Sequence, residues 1–332
     1  LESTVAELSR STSSRSQDVG EVVEPARPAR RIDFVGRRNI FFAISLIIII
    51  PGMLSMIFRG FLLGIDFAGG TEFILTFNSQ PSLAQVESGV AQLEGPNGSV
   101  QQTSSGTFIV RTPSMDPTHQ HAFTQALEQK VGSINASKTQ ISSVGPSVAA
   151  SIVTRALGAI ALASALILFY LAFRFRKLPG GWRSGFQFGG SALLALLHDV
   201  FLLTGVFSIL GRIFNLHLGQ IDSLFLTAAL TVVGFSVHDT IVVFDRIREN
   251  LQTTRRLTFE QVANLSIMQT LGRSIATSFT VVLVLLALLL FGGETIKGFV
   301  LALLIGIVSG TYSSIFNATP LLVVWRRLQP VR

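Results

Sequence analysis

Five ionisable side chains stand inside or beside long apolar runs. His198 and Asp199 interrupt Leu193–Leu203, His238 and Asp239 interrupt Phe235–Phe244, and Arg273 opens the run Ser274–Phe291. In hydrocarbon such a group costs about 2.5–3.5 kcal/mol on insertion scales, so each needs a partner or a function. Two carboxylates, two imidazoles and a guanidinium have the composition of a proton relay. Burial raises an Asp pKa and a neighbouring Arg lowers it, so moving the Arg or rotating a helix loads or unloads a proton. The same groups can also simply pair to hold a bundle together, and composition leaves relay and glue both open.

Other chemistries find little support. The chain has no Cys, which removes disulfides, thiolate metal sites and Cys nucleophiles. It contains neither a His-Glu-x-x-His zinc helix nor a Gly-x-Ser-x-Gly elbow. Ser236 lies two residues from His238, a spacing at which helical side chains do not face each other. His119 and His121 share that spacing and make a poor metal pair. The expectation is no enzyme, no resident cofactor and no metal.

The runs that carry the charges set the class of the molecule. Of 332 residues 48% are hydrophobic and 14% charged, with mean hydropathy +0.55. A soluble domain carries about 25% charged residues. Six stretches meet the requirement of about 20 mostly apolar residues for a membrane helix: Asn39–Phe58, Val148–Phe173, Phe186–Leu210, Ser223–Phe244, Ser274–Phe291 and Gly298–Trp325. The first is not read as a signal peptide, because it lies far from the N-terminus and no small-residue cleavage pattern follows. Nineteen of the 26 Lys and Arg lie before the first span, between spans two and three, between four and five, or after six. By the positive-inside rule both termini are cytoplasmic. The net charge of +7 is therefore a topology signal and gives no support to nucleic-acid binding. Residues 1–38 read as a flexible basic tail and 326–332 as a second tail. The start at Leu1 is that of a fragment or a processed product. Residues 258–270 read as an amphipathic helix lying on the cytoplasmic interface. Gly306, Ser309, Gly310, Ser313 and Ser314 give span six a small-residue face suited to close packing.

Residues 59–147 differ in character and form one external domain. Ile65–Phe77 reads as a strand, Ser82–Leu93 as a helix capped by Ser82, and Ser99–Thr103 with Thr107–Thr112 as a hairpin. Asp116–Val131 reads as a second helix and Thr139–Val144 as a last strand. The order β-α-β-β-α-β is that of a ferredoxin-like unit. The predicted architecture is an α-helical polytopic membrane protein of six helices, both ends inside, with one small α+β extracytoplasmic domain. Asp66, Gly69 and Gly70 fall where span one meets that domain. A Gly-Gly pair leading into a strand reads as a tight anchoring turn rather than a phosphate loop, which needs a helix after it.

At these residues the chain resembles a known family. Val232–Asn250, reading VVGFSVHDTIVVFDRIREN, is similar to the span-four signature of SecF, the accessory subunit of the bacterial Sec protein-export machinery. Gly64–Thr71 (GIDFAGGT), Leu197–Val200 (LHDV) and Gly310–Phe316 (GTYSSIF) resemble the same family. The likeness covers about residues 33–327. It implies a complex with a SecD-like subunit or fused SecD half, of the RND superfamily, beside the SecYEG channel in the bacterial cytoplasmic membrane. Such a complex uses protons, or sodium in some members, to help draw a translocating preprotein outward among membrane lipids. By the resemblance Asp239 matches the proton-carrying aspartate, Arg273 its gating arginine, and His198-Asp199 a His-Asp pair of less defined role. Many members have Asn where this chain has His238. The rival readings are an RND-type exporter half for lipids or small molecules, and a purely structural membrane subunit.

Overall fold

The computed structural model describes residues 32–95, 98–103, 106–253 and 256–330. Most of the expected N-terminal tail, two residues of the hairpin turn and the last two of the C-terminal tail lie outside them. The elements in chain order are α1 Arg38–Arg59, α2 Ile65–Ala68, β1 Gly70–Leu75, α3 Leu83–Glu94, β2 Ser99–Gln102, β3 Phe108–Thr112, α4 Pro117–Val131 and β4 Gln140–Val144. Then follow α5 Pro146–Arg174, α6 Trp182–Ser208, α7 Ser223–Thr253, α8 Phe259–Phe291, α9 Glu294–Ser313 and α10 Thr319–Leu328. Six helical stretches are long and apolar enough to cross a membrane: α1, α5, α6 with the π turn Ile209–Ile213, α7, α8, and α9 joined to α10 through the π turn Ser314–Ala318. Pro320 at the start of α10 has no N–H to continue the ladder, which accounts for the irregular turn before it.

The domain between α1 and α5 is the expected ferredoxin-like unit. Its four strands pair antiparallel in the order β2-β3-β1-β4. Phe73, Leu75, Phe108 and Val110 point from one sheet face onto Val86, Val90, Phe123 and Leu127 of α3 and α4. Fully burying each such side chain is worth about 1.5–3 kcal/mol. Ser82 caps α3 in a reciprocal capping box with Gln85, and Asp116 caps α4 through the His119 amide. One expectation fails at the entrance. Ile65–Ala68 is a turn of helix, not the start of a strand. It is ended by Gly69 at φ +73° and Gly70 at φ +127°, so the apolar alternation begins only at β1.

In the bundle α7 and the α9–α10 run are central, half of their apolar windows being buried against 17% for α1, α5 and α8. The expected separate interfacial helix over 258–270 is corrected: it forms the first turns of α8, which runs unbroken to Phe291. No Pro lies within it, and Val262, Ala263 and Ile267 pack into the core with Phe244, Ile247 and Val323 rather than facing lipid. The end of the expected flexible tail is also packed. Phe34 and Val35 are buried, and the Phe34 amide donates to Asn264 Oδ1 at 2.8 Å.

Candidate functional site

Asp199 lies on α6 and is 1% exposed. Its Oδ1 accepts from Ser309 Oγ at 2.7 Å and faces His198 Nδ1 at 3.0 Å. Its Oδ2 accepts from Ser236 Oγ at 2.7 Å and Ser313 Oγ at 2.5 Å. Four donors match the lone-pair positions of one carboxylate. The cage closes because α9 comes close to α7. A Cβ on Gly306 would meet the Val232 side chain at 2.1 Å, and one on Gly310 would meet Ser236 Cβ at 3.0 Å. The small-residue face of span six therefore packs against α7, and its serines, spaced four apart, supply two of the donors. The second imidazole nitrogen of His198 is buried without a partner among the described residues. His198 lines an apolar cavity of about 470 Å³ together with Ile44, Leu202, Val308 and Tyr312.

Asp239 lies on α7 and is 6% exposed. Ser274 Oγ on α8 donates to its Oδ1 at 2.6 Å, while its Oδ2 is buried and bonded to nothing among the described residues. An unmade bond at a buried carboxylate is costly, so an oxygen left open in this way is poised to accept something. Between the two carboxylates, Thr240 Oγ1 lies 2.9 Å from Ser314 Oγ and 3.0 Å from the Ser236 carbonyl.

The five charged residues singled out in the sequence thus fall into separate groups. His198 and Asp199 come together, and Asp239 stands apart from them. Arg273 and His238 are both exposed on the outer face of α8 and α7, beside Ser274 and Asp239 respectively. No ion pair joins Arg273 to Asp239 among the described residues. Ser274, which makes the contact to Asp239, had no signal of its own beyond following Arg273.

The anchoring turn is more than a turn. The Gly64 amide donates to the Ile221 carbonyl and the Ile221 amide to the Leu62 carbonyl, both at 2.8 Å. Asp66 Oδ2 accepts from the Ser223 amide at 2.9 Å, so Asp66 caps the N-terminus of α7 from outside. Asp222 Oδ1 accepts from the Phe225 amide at 2.8 Å in the same turn. A Cβ on Gly64 would lie 2.5 Å from Gln220 Nε2 and 3.0 Å from Asp222 Cβ, so a larger residue in this splice would displace the Gln220 side chain. Gly70 would meet the Thr112 carbonyl at 2.6 Å. The helix carrying Asp239 is thereby tied at its outer end to the root of the external domain.

A family model described as protein export membrane protein SecD/SecF, C-terminal, matches residues 123–328, and one described as the SecD/SecF GG motif matches residues 54–81. A protein translocase subunit SecF of Thermobaculum terrenum is 48% identical over 306 residues, covering 89% of this chain and 94% of that one. The chain belongs to the SecF family. The protein translocase subunit SecF of Pseudomonas aeruginosa is 36% identical over 300 residues, covering 90% of this chain and 92% of its own. A crystal structure of SecDF, a translocon-associated membrane protein from Thermus thermophilus, superposes with TM-score 0.76 at 31% identity. It covers 96% of this chain, which spans only 42% of the SecDF chain. SecF is a subunit of a protein translocase, and the six apolar helices make this chain a multi-pass membrane protein with a transport role.

Proposed function

We propose that this chain works as the SecF part of a SecD–SecF assembly in the bacterial cytoplasmic membrane, and that protons moving through Asp239 drive its external domain to assist late preprotein export beside the SecYEG channel. The carrying observation is the buried Oδ2 of Asp239, which has no partner among the described residues. Asp199, met by four donors, holds three helices together, whereas Asp239 has one donor and an open oxygen, which suits it to load and unload a proton. Arg273 stands at the rim, one residue from Ser274, where a shift of α8 brings it to the carboxylate or takes it away. His198 is the second imidazole of the relay set and supports Asp199. His238 points outward in place of the more usual Asn.

The SecD-like partner has a face to meet. Thr227, Thr231, Gly234 and His238 on α7, with Arg273 and Thr277 on α8, are exposed although they lie in spanning helices. The threonine hydroxyls bond back to carbonyls of their own helices, but the ionisable His238 and Arg273 facing lipid are unfavourable, and a second membrane subunit would cover them. One charge crossing 100 mV yields about 2.3 kcal/mol, enough to bias a domain swing. The test is export in inverted vesicles with an imposed potential. Asp239→Asn should abolish the potential-dependent part while the SecD-like partner still copurifies, and full potential-dependent export by that variant would overturn the reading. Repeating the assay with sodium or proton gradients alone identifies the coupling ion.

A further inference from the structure

The sheet's second face does not open to solvent along its whole length. Arg111 of β3 and Glu72 of β1, opposite each other in the register, have side chains only 11% and 15% exposed. Arg111 Nε donates to Glu72 Oε2 at 2.7 Å and Nη1 to Gln101 Oε1 at 3.3 Å, both within the domain. Its Nη2 crosses to the segment joining α6 and α7, where it reaches His217 Nδ1 at 3.1 Å and Gln220 Oε1. Gln101 makes a parallel crossing, its Nε2 lying 3.1 Å from Asn215 Oδ1.

A guanidinium only donates, so His217 Nδ1 must present its lone pair, and the imidazole that fits this contact is neutral. We propose that Arg111 and His217 form a latch that holds the external domain's sheet on the α6–α7 segment and opens when His217 takes up a proton. Protonation puts a hydrogen on both ring nitrogens, so an acceptor becomes a donor aimed at a cation. The charged groups around His217 are Arg111 and Glu72 from the sheet, Lys138 ahead of β4, and Glu294 at the start of α9. Glu294 Oε1 is paired with Lys297 at 2.7 Å. Lys138 and Glu294 share with His217 the walls of a cavity of about 210 Å³ between sheet and bundle. Burial first, and then Arg111, hold His217 below its ordinary value of 6.5, with Glu72, a hydrogen bond to the Gln220 side chain and Glu294 acting the other way. The latch is therefore shut at neutral pH.

The docked His217 has the lower pKa, so docking is unaffected above the ordinary value. Below it, docking weakens by up to about tenfold per pH unit until the docked value is reached. That acid arrives on the domain's side of the membrane rests on the function proposed above; the latch itself does not depend on it.

The chain has no Cys, so a Ser88→Cys, Ile213→Cys pair can carry spin labels on the domain and on the outer end of α6 without background. In the full-length chain in lipid nanodiscs, electron–electron distances should show one population at neutral pH and a second, longer one that grows as the pH falls below the ordinary imidazole value of 6.5. His217→Gln, which keeps an acceptor for Arg111, should hold the short population throughout, and Arg111→Ala should show the long one throughout. An unchanged distance in the parent down to about pH 5, or a pH response that persists in His217→Gln, would overturn the latch. Asp239→Asn should leave the response intact, which separates failure of the latch from failure of the export reading.

Discussion

Ser274 Oγ reaches Asp239 Oδ1 at 2.6 Å across the α7–α8 contact, and no described group reaches the other oxygen. A hydrogen bond to a charged group is worth about 1.5–3 kcal/mol, so this one hydroxyl sets much of what the carboxylate senses. Ser274→Ala should cut potential-dependent export about tenfold with the assembly intact, and Ser274→Thr should restore most of it. Vesicle export at fixed potential reads both.

The two buried aspartates should separate on stability. Asp199→Asn places an amide N–H₂ among donors and leaves at least one hydroxyl without an acceptor, a loss of about 1–3 kcal/mol. Asp239→Asn disturbs a single contact and should change stability by less. Thermal unfolding in detergent should rank Asp199→Asn well below Asp239→Asn, and the reverse order would contradict the serine cage.

Close approach of α9 to α7 makes two glycines unequal. Ala at Gly306 would drive its Cβ to 2.1 Å from Val232, whereas at Gly310 the nearest atom is at 3.0 Å. Overpacking costs about 1–3 kcal/mol. Gly306→Ala should therefore lower the melting temperature more than Gly310→Ala, and it should also loosen Ser309 from Asp199.

The cap on α7 carries a pH signature. Burial first, opposed by the Phe225 amide bond and aided by negative Asp66, pushes the Asp222 carboxyl up. A raised folded-state value means that its contribution to stability is present in acid and lost as pH rises past that value. Asp222→Asn keeps an acceptor for Phe225 and removes the buried charge. It should be at least as stable as the parent at neutral pH, with the two converging in acid. Asp66→Ala should cost about 0.5–2 kcal/mol and Asp66→Asn much less, measured by the same unfolding curves.

Much of the architecture was legible because its signals are local. Apolar runs of span length, the Ser82 cap and the β-α-β-β-α-β order each reside in consecutive residues. The points that failed were tertiary. Residues 258–270 are amphipathic whether they face lipid or protein, and only the packing of Val262 and Ile267 on Phe244 decides it. Ile65–Ala68 has strand-like composition, yet a capped turn ended by two positive-φ glycines wins over propensity. At the site, Asp199 and Asp239 were visible as charges in apolar runs, but their partners Ser236, Ser309, Ser313 and Ser274 come from three helices and carry no spacing signal relative to them. Arg111 was invisible for the same reason, since its four acceptors are drawn from β1, β2 and the α6–α7 segment.

Gly70 at the start of β1 lies directly opposite Val144 at the end of β4. The polypeptide therefore enters and leaves the external domain through a single doorway, with Gly69 only 3.4 Å from Pro146 of α5 by its would-be Cβ. A unit plugged in this way is a cassette. Another compact fold with adjacent ends could be spliced in its place without pulling the membrane helices out of register.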